Sequence, residues 1–211
     1  MVLNNGGENF IDRLNIESRK YRAIFFKPML IFFDRIGLTP NMLSDIRLFF
    51  GVIFLIWFYY GDKVFAAVFL LFVLFLDTFD GALARFQNKD SDRGKFLDTL
   101  IDSIIYSLVT LSLLFLDINV FFIAYNIFII PVAYLLRIIK KQEFIGSDWV
   151  IKPYSQLSFL KVIVIIPFFL FVFFQINFLE FALLFDNILA TVLSIYYLIF
   201  IQSRWKKVYG K

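Results

Sequence analysis

The sequence predicts an all-α membrane protein with six transmembrane helices, both termini in the cytoplasm and an interfacial amphipathic helix ahead of the first span. Three observations carry that expectation. Hydrophobic residues make up 61% of the 211 positions, well above the composition of an ordinary soluble domain. They fall in six runs, each near the ~20 residues a helix needs to cross the hydrocarbon core. Apart from Lys63, the lysines and arginines gather at one side of those runs, which the positive-inside rule assigns to the cytoplasm.

Taken in order, the chain begins with a polar stretch containing Gly6-Gly7 and no evident cleavable signal peptide. Residues 10–36 mix short apolar runs with Arg13, Arg19, Lys20, Arg22, Lys27 and Arg35. The runs are too short to span, and a basic helix lying on the anionic inner leaflet accounts for them. Thr39-Pro40-Asn41 is a helix start, since Thr39 can cap and Pro40 fits the first helical position. The first span then runs to about Tyr60, and Gly61-Asp62-Lys63 turns the chain. The second begins near Val64 and the third near Asp92, the latter staying apolar to Leu116. The fourth covers about Val120–Ile139, with a kink expected at Pro131. After a polar loop at 140–153, the fifth covers about Tyr154–Phe174, with Pro167 inside it, and the sixth about Phe178–Ile201. This divides the chain into a cytoplasmic N-terminus (1–36), a six-helix domain (37–203) and a basic tail (204–211).

Composition narrows the chemistry. With no cysteine, disulfides, thiolate nucleophiles and thiolate metal sites are excluded. With no histidine, a general base at neutral pH has to be a carboxylate, Lys, Tyr or water. The net charge of +4 is modest, and no nucleic-acid partner is expected.

The candidate chemistry lies between Asp77 and Asp102. Asp77 and Asp80 are spaced to share one helix face, as are Asp98 and Asp102. Carboxylates on membrane helices are expensive and need partners or a function. Two facing pairs would form an oxygen-rich cage suited to hard divalent ions such as Mg²⁺ or Mn²⁺. About 20 Å of helix separates Val64 from Asp77, at 1.5 Å per residue, against a hydrocarbon core of roughly 30 Å. The aspartates therefore belong near the inner headgroup level, where the phosphates of a lipid would lie.

The full string is Asp77-x2-Asp80-Gly81-x2-Ala84-Arg85-x8-Gly94-x3-Asp98-x3-Asp102. It resembles the signature of the CDP-alcohol phosphotransferases at every fixed position, and the six spans and the Thr39-Pro40-Asn41 start are also similar to that family. The motif covers only a small part of the chain; the remainder agrees in architecture. The resemblance implies phospholipid synthesis: a phosphatidyl group passes from a CDP-linked lipid such as CDP-diacylglycerol to an alcohol, with release of CMP. It implies two Mg²⁺ or Mn²⁺ ions held by Asp77, Asp80, Asp98 and Asp102. Asp77 and Asp98 would touch both ions, while Asp102 would also act as general base. It further implies contacts to the CDP-lipid from Pro40, Asn41, Asp77, Gly81, Ala84, Arg85 and Ser91, a homodimer, and an active site facing the cytoplasm of a cell membrane.

Physical chemistry is consistent with those roles. Two metals can neutralise a diphosphate that would otherwise repel an incoming oxygen nucleophile. Gly81 and Ala84 lack bulk, so a nucleotide could approach the helix, and Arg85 can fork onto a phosphate. The bland reading is polar helix ends with the aspartates paired to Arg85, Arg93 and Lys95. It leaves the small residues at set spacing unexplained, although Gly81 alone is more often a packing glycine.

The acceptor is less constrained. Arg137, Lys152 and Lys161 fall toward the cytoplasmic side of the fourth and fifth spans and are the candidates to hold it. A phosphorylated polyol such as glycerol 3-phosphate or inositol phosphate would suit them. Lys161 lies inside a span, where it can hold an acceptor phosphate, pair with an aspartate or snorkel to the interface. Asp186-Asn187 falls toward the outer half of the sixth run and is expected to bond helices together. Two alternatives stand beside the transferase: an aspartate-rich membrane prenyltransferase, and a non-enzymatic divalent-cation transporter. The first usually spaces its aspartates differently, and the second would place its carboxylates near the midplane.

Overall fold

The computed structural model describes residues 25–89, 91–143 and 154–209, and among these the regular structure is entirely helical. The helices are α1 (Lys27–Arg35), α2 (Pro40–Tyr59), α3 (Lys63–Phe86), α4 (Asp92–Ser112), α5 (Val120–Glu143), α6 (Tyr154–Phe174) and α7 (Leu179–Tyr209), with a short 3₁₀ turn, Leu113–Phe115, after α4.

Several helix starts are capped by the residues the sequence offers for it. The Thr39 hydroxyl accepts from the Met42 N–H at 3.3 Å, the Asp62 carboxylate from the Phe65 N–H at 2.9 Å, and the Ser91 hydroxyl from the Gly94 N–H at 3.1 Å. Each bond satisfies a backbone donor that a helix end leaves open. Gly61 takes the turn between α2 and α3 at φ +93°, a conformation that costs glycine little.

Five stretches are long and apolar enough to cross a bilayer: Pro40–Tyr59, Lys63–Phe86, Phe96–Phe115, Val120–Arg137 and Leu179–Trp205. In α6 the described apolar stretch is shorter, Leu160–Phe174. Large apolar side chains such as Phe121, Phe128 and Phe181 stand outward and exposed, as a lipid-facing surface requires.

Two expected boundaries shift. α5 continues to Glu143 and α7 to Tyr209, so residues 204–209 of the expected tail prolong the last helix. Loss of apolar character at 202–207 ends the span but not the helix, because Gln, Arg and Lys are good helix formers. Pro131 and Pro167 both lie inside continuous helices.

α2 packs chiefly on α3 and α4, and α5 and α6 pack on α7. The main core joins Phe54 and Phe58 of α2, Leu70 of α3, Val109 of α4, Ile123 of α5, Phe168 of α6 and Leu183 of α7. Within this apolar mass, Tyr106 donates to Asp186 at 2.6 Å. Asn126 donates to Asp186 at 2.9 Å and to Asn187 at 2.8 Å, while Thr110 donates to Asn126 at 3.0 Å. Asp186 and Asn187 thus bond α7 to α4 and α5, as expected of polar residues that pair between membrane helices.

A second cluster ties α1 to the end of α3: Leu30 and Phe33 pack with Leu76, Phe79 and Leu83. The fully buried Phe79 lies 4.7 Å from the Phe26 ring and 5.6 Å from that of Phe33, centroid to centroid. Gln87 then donates to Asp34 and to the Leu38 carbonyl, both at 2.9 Å. The helix end that carries Asp77 and Asp80 is therefore held from behind by α1. Residues 10–24 of the expected amphipathic segment lie outside the described residues.

Candidate functional site

Helix packing brings the two aspartate pairs together around one guanidinium. Asp77 and Asp80 come from the second half of α3, and Asp98 and Asp102 from the first half of α4. Arg47 reaches between them from α2, which packs on both. Its Nη1 donates to Asp80 and, at 2.9 Å, to Asp98. Its Nη2 donates to Asp102 and pairs with Asp77. The Arg47 side chain is only 2% exposed, whereas Asp77 and Asp98 are open at 42% and 45%. A buried arginine is tolerated in a span only when its charge is met, and here four carboxylates meet it.

Lys161 of α6 donates to the other oxygen of Asp102, and its ammonium lies 5.9 Å from the centre of the Tyr134 ring. Of the three roles left open for Lys161, pairing with an aspartate is the one observed.

Beside the cluster is a cavity of about 280 Å³ lined by Pro40, Asn41, Ser44, Gly81, Lys89 and Ser91, among others, with Asp80 and Asp98 in its wall. Gly81 is exposed in mid-helix, and a Cβ there would meet only the tip of Arg85, at 3.5 Å. Packing therefore does not explain this glycine. Gly51 is the contrast: a Cβ there would stand tightly against Leu108 at 3.3 Å and touch Ile105 at 3.5 Å, so it is a packing residue between α2 and α4.

The donor set fits a hard divalent cation. One carboxylate oxygen each from Asp77, Asp98 and Asp102 lies within 4.8 Å of the others, and hard cations take oxygen ligands. Asp80 sits apart from that trio, 6% exposed, bonded to Arg47 and to the Gly81 N–H.

The residues singled out in the sequence are placed as follows. The four aspartates converge, and Pro40, Asn41, Gly81, Ala84 and Ser91 line one cavity together. Arg85 is exposed one turn past Gly81 and is not among the lining residues. Arg137 is partly exposed on α5, one turn beyond Tyr134. Lys152 lies outside the described residues. Arg47, Ser44 and Lys89 join the predicted residues at the site. A signal for the first two was present: Pro40, Ser44 and Arg47 recur at i, i+4 and i+7, one stripe of α2. A lone arginine within an apolar run is itself a functional pointer.

A helical membrane protein with a carboxylate cluster beside a polar cavity is the class that fold and site define. The chain belongs to the CDP-alcohol phosphatidyltransferase family, whose model matches residues 37–196. Over 67 residues it is 40% identical to the archaetidylinositol phosphate synthase of Pyrococcus horikoshii, covering 32% of this chain and 36% of that protein. Over 76 residues it is 38% identical to the inner membrane protein YnjF of Escherichia coli, covering 36% of each. The chain thus spans little more than a third of the length of these curated relatives. In fold it is similar to the Mycobacterium tuberculosis phosphatidylinositol phosphate synthase crystallised with CDP-DAG bound. The TM-score is 0.65 at 21% identity, over 81% of this chain and 90% of that one. A second structure of that synthase, in complex with manganese and citrate, matches with a TM-score of 0.65 at 18% identity, over 81% of this chain and 86% of the other.

Proposed function

We propose that this protein makes a phospholipid by transferring a phosphatidyl group from a CDP-linked lipid, such as CDP-diacylglycerol, to an alcohol acceptor, releasing CMP. The observation that carries this reading is the cavity itself. The α2 start, the Gly81–Ala84 face and Ser91 surround a space whose wall includes two of the four aspartates. Family membership puts this reading ahead of a prenyltransferase or a cation transporter.

The parts divide as follows. Asp77, Asp80, Asp98 and Asp102 hold two Mg²⁺ or Mn²⁺ ions, which when bound neutralise the diphosphate and stabilise the leaving phosphate. The manganese in the solved relative supports that choice of metal. Pro40, Asn41, Gly81, Ala84 and Ser91 receive the cytidine nucleotide, Gly81 by leaving room for it. Arg85 swings onto a phosphate from the rim. Asp102 takes the proton from the attacking hydroxyl. The chain has no histidine or cysteine, and a carboxylate is among the bases that remain.

Leu160–Phe174 supplies a sixth span. Both termini and the site then face the cytoplasm of a plasma or inner membrane, in keeping with the basic residues on that side. Residues 1–36 are the juxtamembrane segment, 37–203 the catalytic domain and 204–211 a basic tail whose first six residues continue α7. The working unit is a homodimer.

The acceptor is a phosphorylated polyol such as glycerol 3-phosphate or inositol phosphate. Lys161, beside Asp102 and 17% exposed, is its phosphate anchor, with Arg137 and Lys152 as further candidates. The relative from Pyrococcus horikoshii, an archaetidylinositol phosphate synthase, supports this class. The experiment is CMP release by purified protein with a panel of glycerol 3-phosphate, inositol 1-phosphate, free inositol, serine and phosphatidylglycerol. One phosphorylated polyol should stimulate release, and stimulation by serine or free inositol alone would contradict the acceptor class. Loss of a charge-assisted hydrogen bond typically costs about 1.5–3 kcal/mol. Lys161→Ala should therefore raise the KM for that acceptor by about ten- to a hundredfold and leave the KM for CDP-diacylglycerol near its wild-type value. An unchanged acceptor KM removes Lys161 from the acceptor site.

A further inference from the structure

We infer that Arg47 is a resident counter-cation of the carboxylate cluster, competing with divalent metal for the same oxygens, so that metal loading requires its guanidinium to release aspartates. The inference rests on the reading that these aspartates hold divalent metal.

The geometry is the first reason. Arg47 bonds one oxygen from each of the four aspartates, two through Nη1 and two through Nη2. Asp77, Asp98 and Asp102 are also the three whose oxygens are gathered closely enough to share an ion. A carboxylate oxygen facing a guanidinium and a metal at once would hold two cations in repulsive contact.

Charge is the second reason. Four aspartates carry −4 and Arg47 with Lys161 carry +2, which leaves −2 on the cluster. Ionised carboxylates this close repel one another, and in the metal-free protein Arg47 offsets that repulsion between α3 and α4. Two divalent ions would bring the cluster to +2, and the diphosphate of a CDP-linked lipid would bring it back to neutral. Metal and nucleotide are therefore each favoured by the presence of the other.

Place is the third. Asp80 and Asp98, the two partners of Nη1, also line the cavity, as does Ser44, one turn before Arg47. A guanidinium that gives up Asp80 and Asp98 finds the cavity beside it. There it can donate to the phosphates of the lipid nucleotide, a geometry guanidinium forms readily. Arg47 thus exchanges carboxylate for phosphate as the site loads. The Nε of Arg47 is buried and has no hydrogen-bond partner among the described residues, so the terminal nitrogens alone fix the guanidinium.

The test is Mn²⁺ binding to the purified protein in detergent, followed by the loss of the free Mn²⁺ electron paramagnetic resonance signal. Wild type is compared with Arg47→Met, and melting temperature is read in EDTA and in Mn²⁺. Removing a positive charge within a few ångströms of the ions should tighten Mn²⁺ binding by about tenfold or more. Arg47→Met should also melt lower than wild type in EDTA and regain most of that loss in Mn²⁺. A merely structural arginine would lower the melting temperature in both media and would not tighten metal binding. If Arg47→Met does not survive metal removal, Arg47→Lys carries the test. One ammonium cannot bridge four carboxylates, so it too should bind Mn²⁺ more tightly than wild type. Equal or weaker Mn²⁺ binding in a folded variant would overturn the inference alone. Mn²⁺ that binds neither wild type nor variant would overturn the metal reading and the inference with it.

Discussion

Asp102→Asn is expected to lower kcat by about a thousandfold while leaving measurable Mn²⁺ binding. General-base catalysis is typically worth 10²–10⁴ in rate, and asparagine cannot take the proton. Metal retention follows because Asp77, Asp80 and Asp98 keep their carboxylates, and the substituted amide would still present an oxygen to the cluster. The variant also loses the ion pair with Lys161, so Lys161 becomes freer and the acceptor KM should move as well. The check is steady-state CMP release alongside Mn²⁺ titration. Substantial turnover in the Asp102→Asn variant would remove the base assignment. Loss of all metal binding would make Asp102 chiefly a ligand.

The second large effect is expected at Gly81, where stability and function should move in opposite directions. A mid-helix glycine costs roughly 0.5–1 kcal/mol relative to alanine. Nothing but the flexible end of Arg85 stands where a Cβ would go, so Gly81→Ala should fold as well as wild type or better. The same Cβ would enter the cavity that Gly81 lines. Gly81→Leu, which fills far more of it, should lower kcat/KM for CDP-diacylglycerol by about a hundredfold or more, since misplacing a reacting group by an ångström can cost that much. Its melting temperature should not fall. Gly51→Ala is the control. Its Cβ would stand 3.3 Å from Leu108 and 3.5 Å from Ile105, between α2 and α4 and away from the cavity lining, so that variant should keep its KM. A Gly81→Leu variant with wild-type KM would mean that the nucleotide does not approach this face.

Much of this arrangement is legible in the sequence, and where it is not, the reason is physical. The capped starts at Thr39, Asp62 and Ser91 follow from local chemistry, because a helix end needs an acceptor within three residues. The aspartate pairs are legible because two helical spacings place each pair on one face. Assigning Asp186 and Asn187 to helix packing rests on depth, and the bonds to Tyr106 and Asn126 agree with it. Arg47 was hidden by a different logic. An arginine near the inner end of a span also satisfies the positive-inside rule, and only tertiary packing shows that α2 points it at all four aspartates. The extension of α7 to Tyr209 was hidden because loss of apolar character marks the end of a span rather than the end of a helix. The clamp of α1 on Phe79 needs contacts between residues far apart in the chain, which periodicity does not report.

The most direct measurement is CMP release from CDP-diacylglycerol by the purified protein, with Mg²⁺ or Mn²⁺ and a phosphorylated polyol, with and without EDTA. The expected result is acceptor-dependent CMP release that EDTA abolishes and restored metal recovers. Failure of the protein to bind any cytidine nucleotide, with metal present, would contradict the assignment of the cavity and the carboxylate cluster to this chemistry.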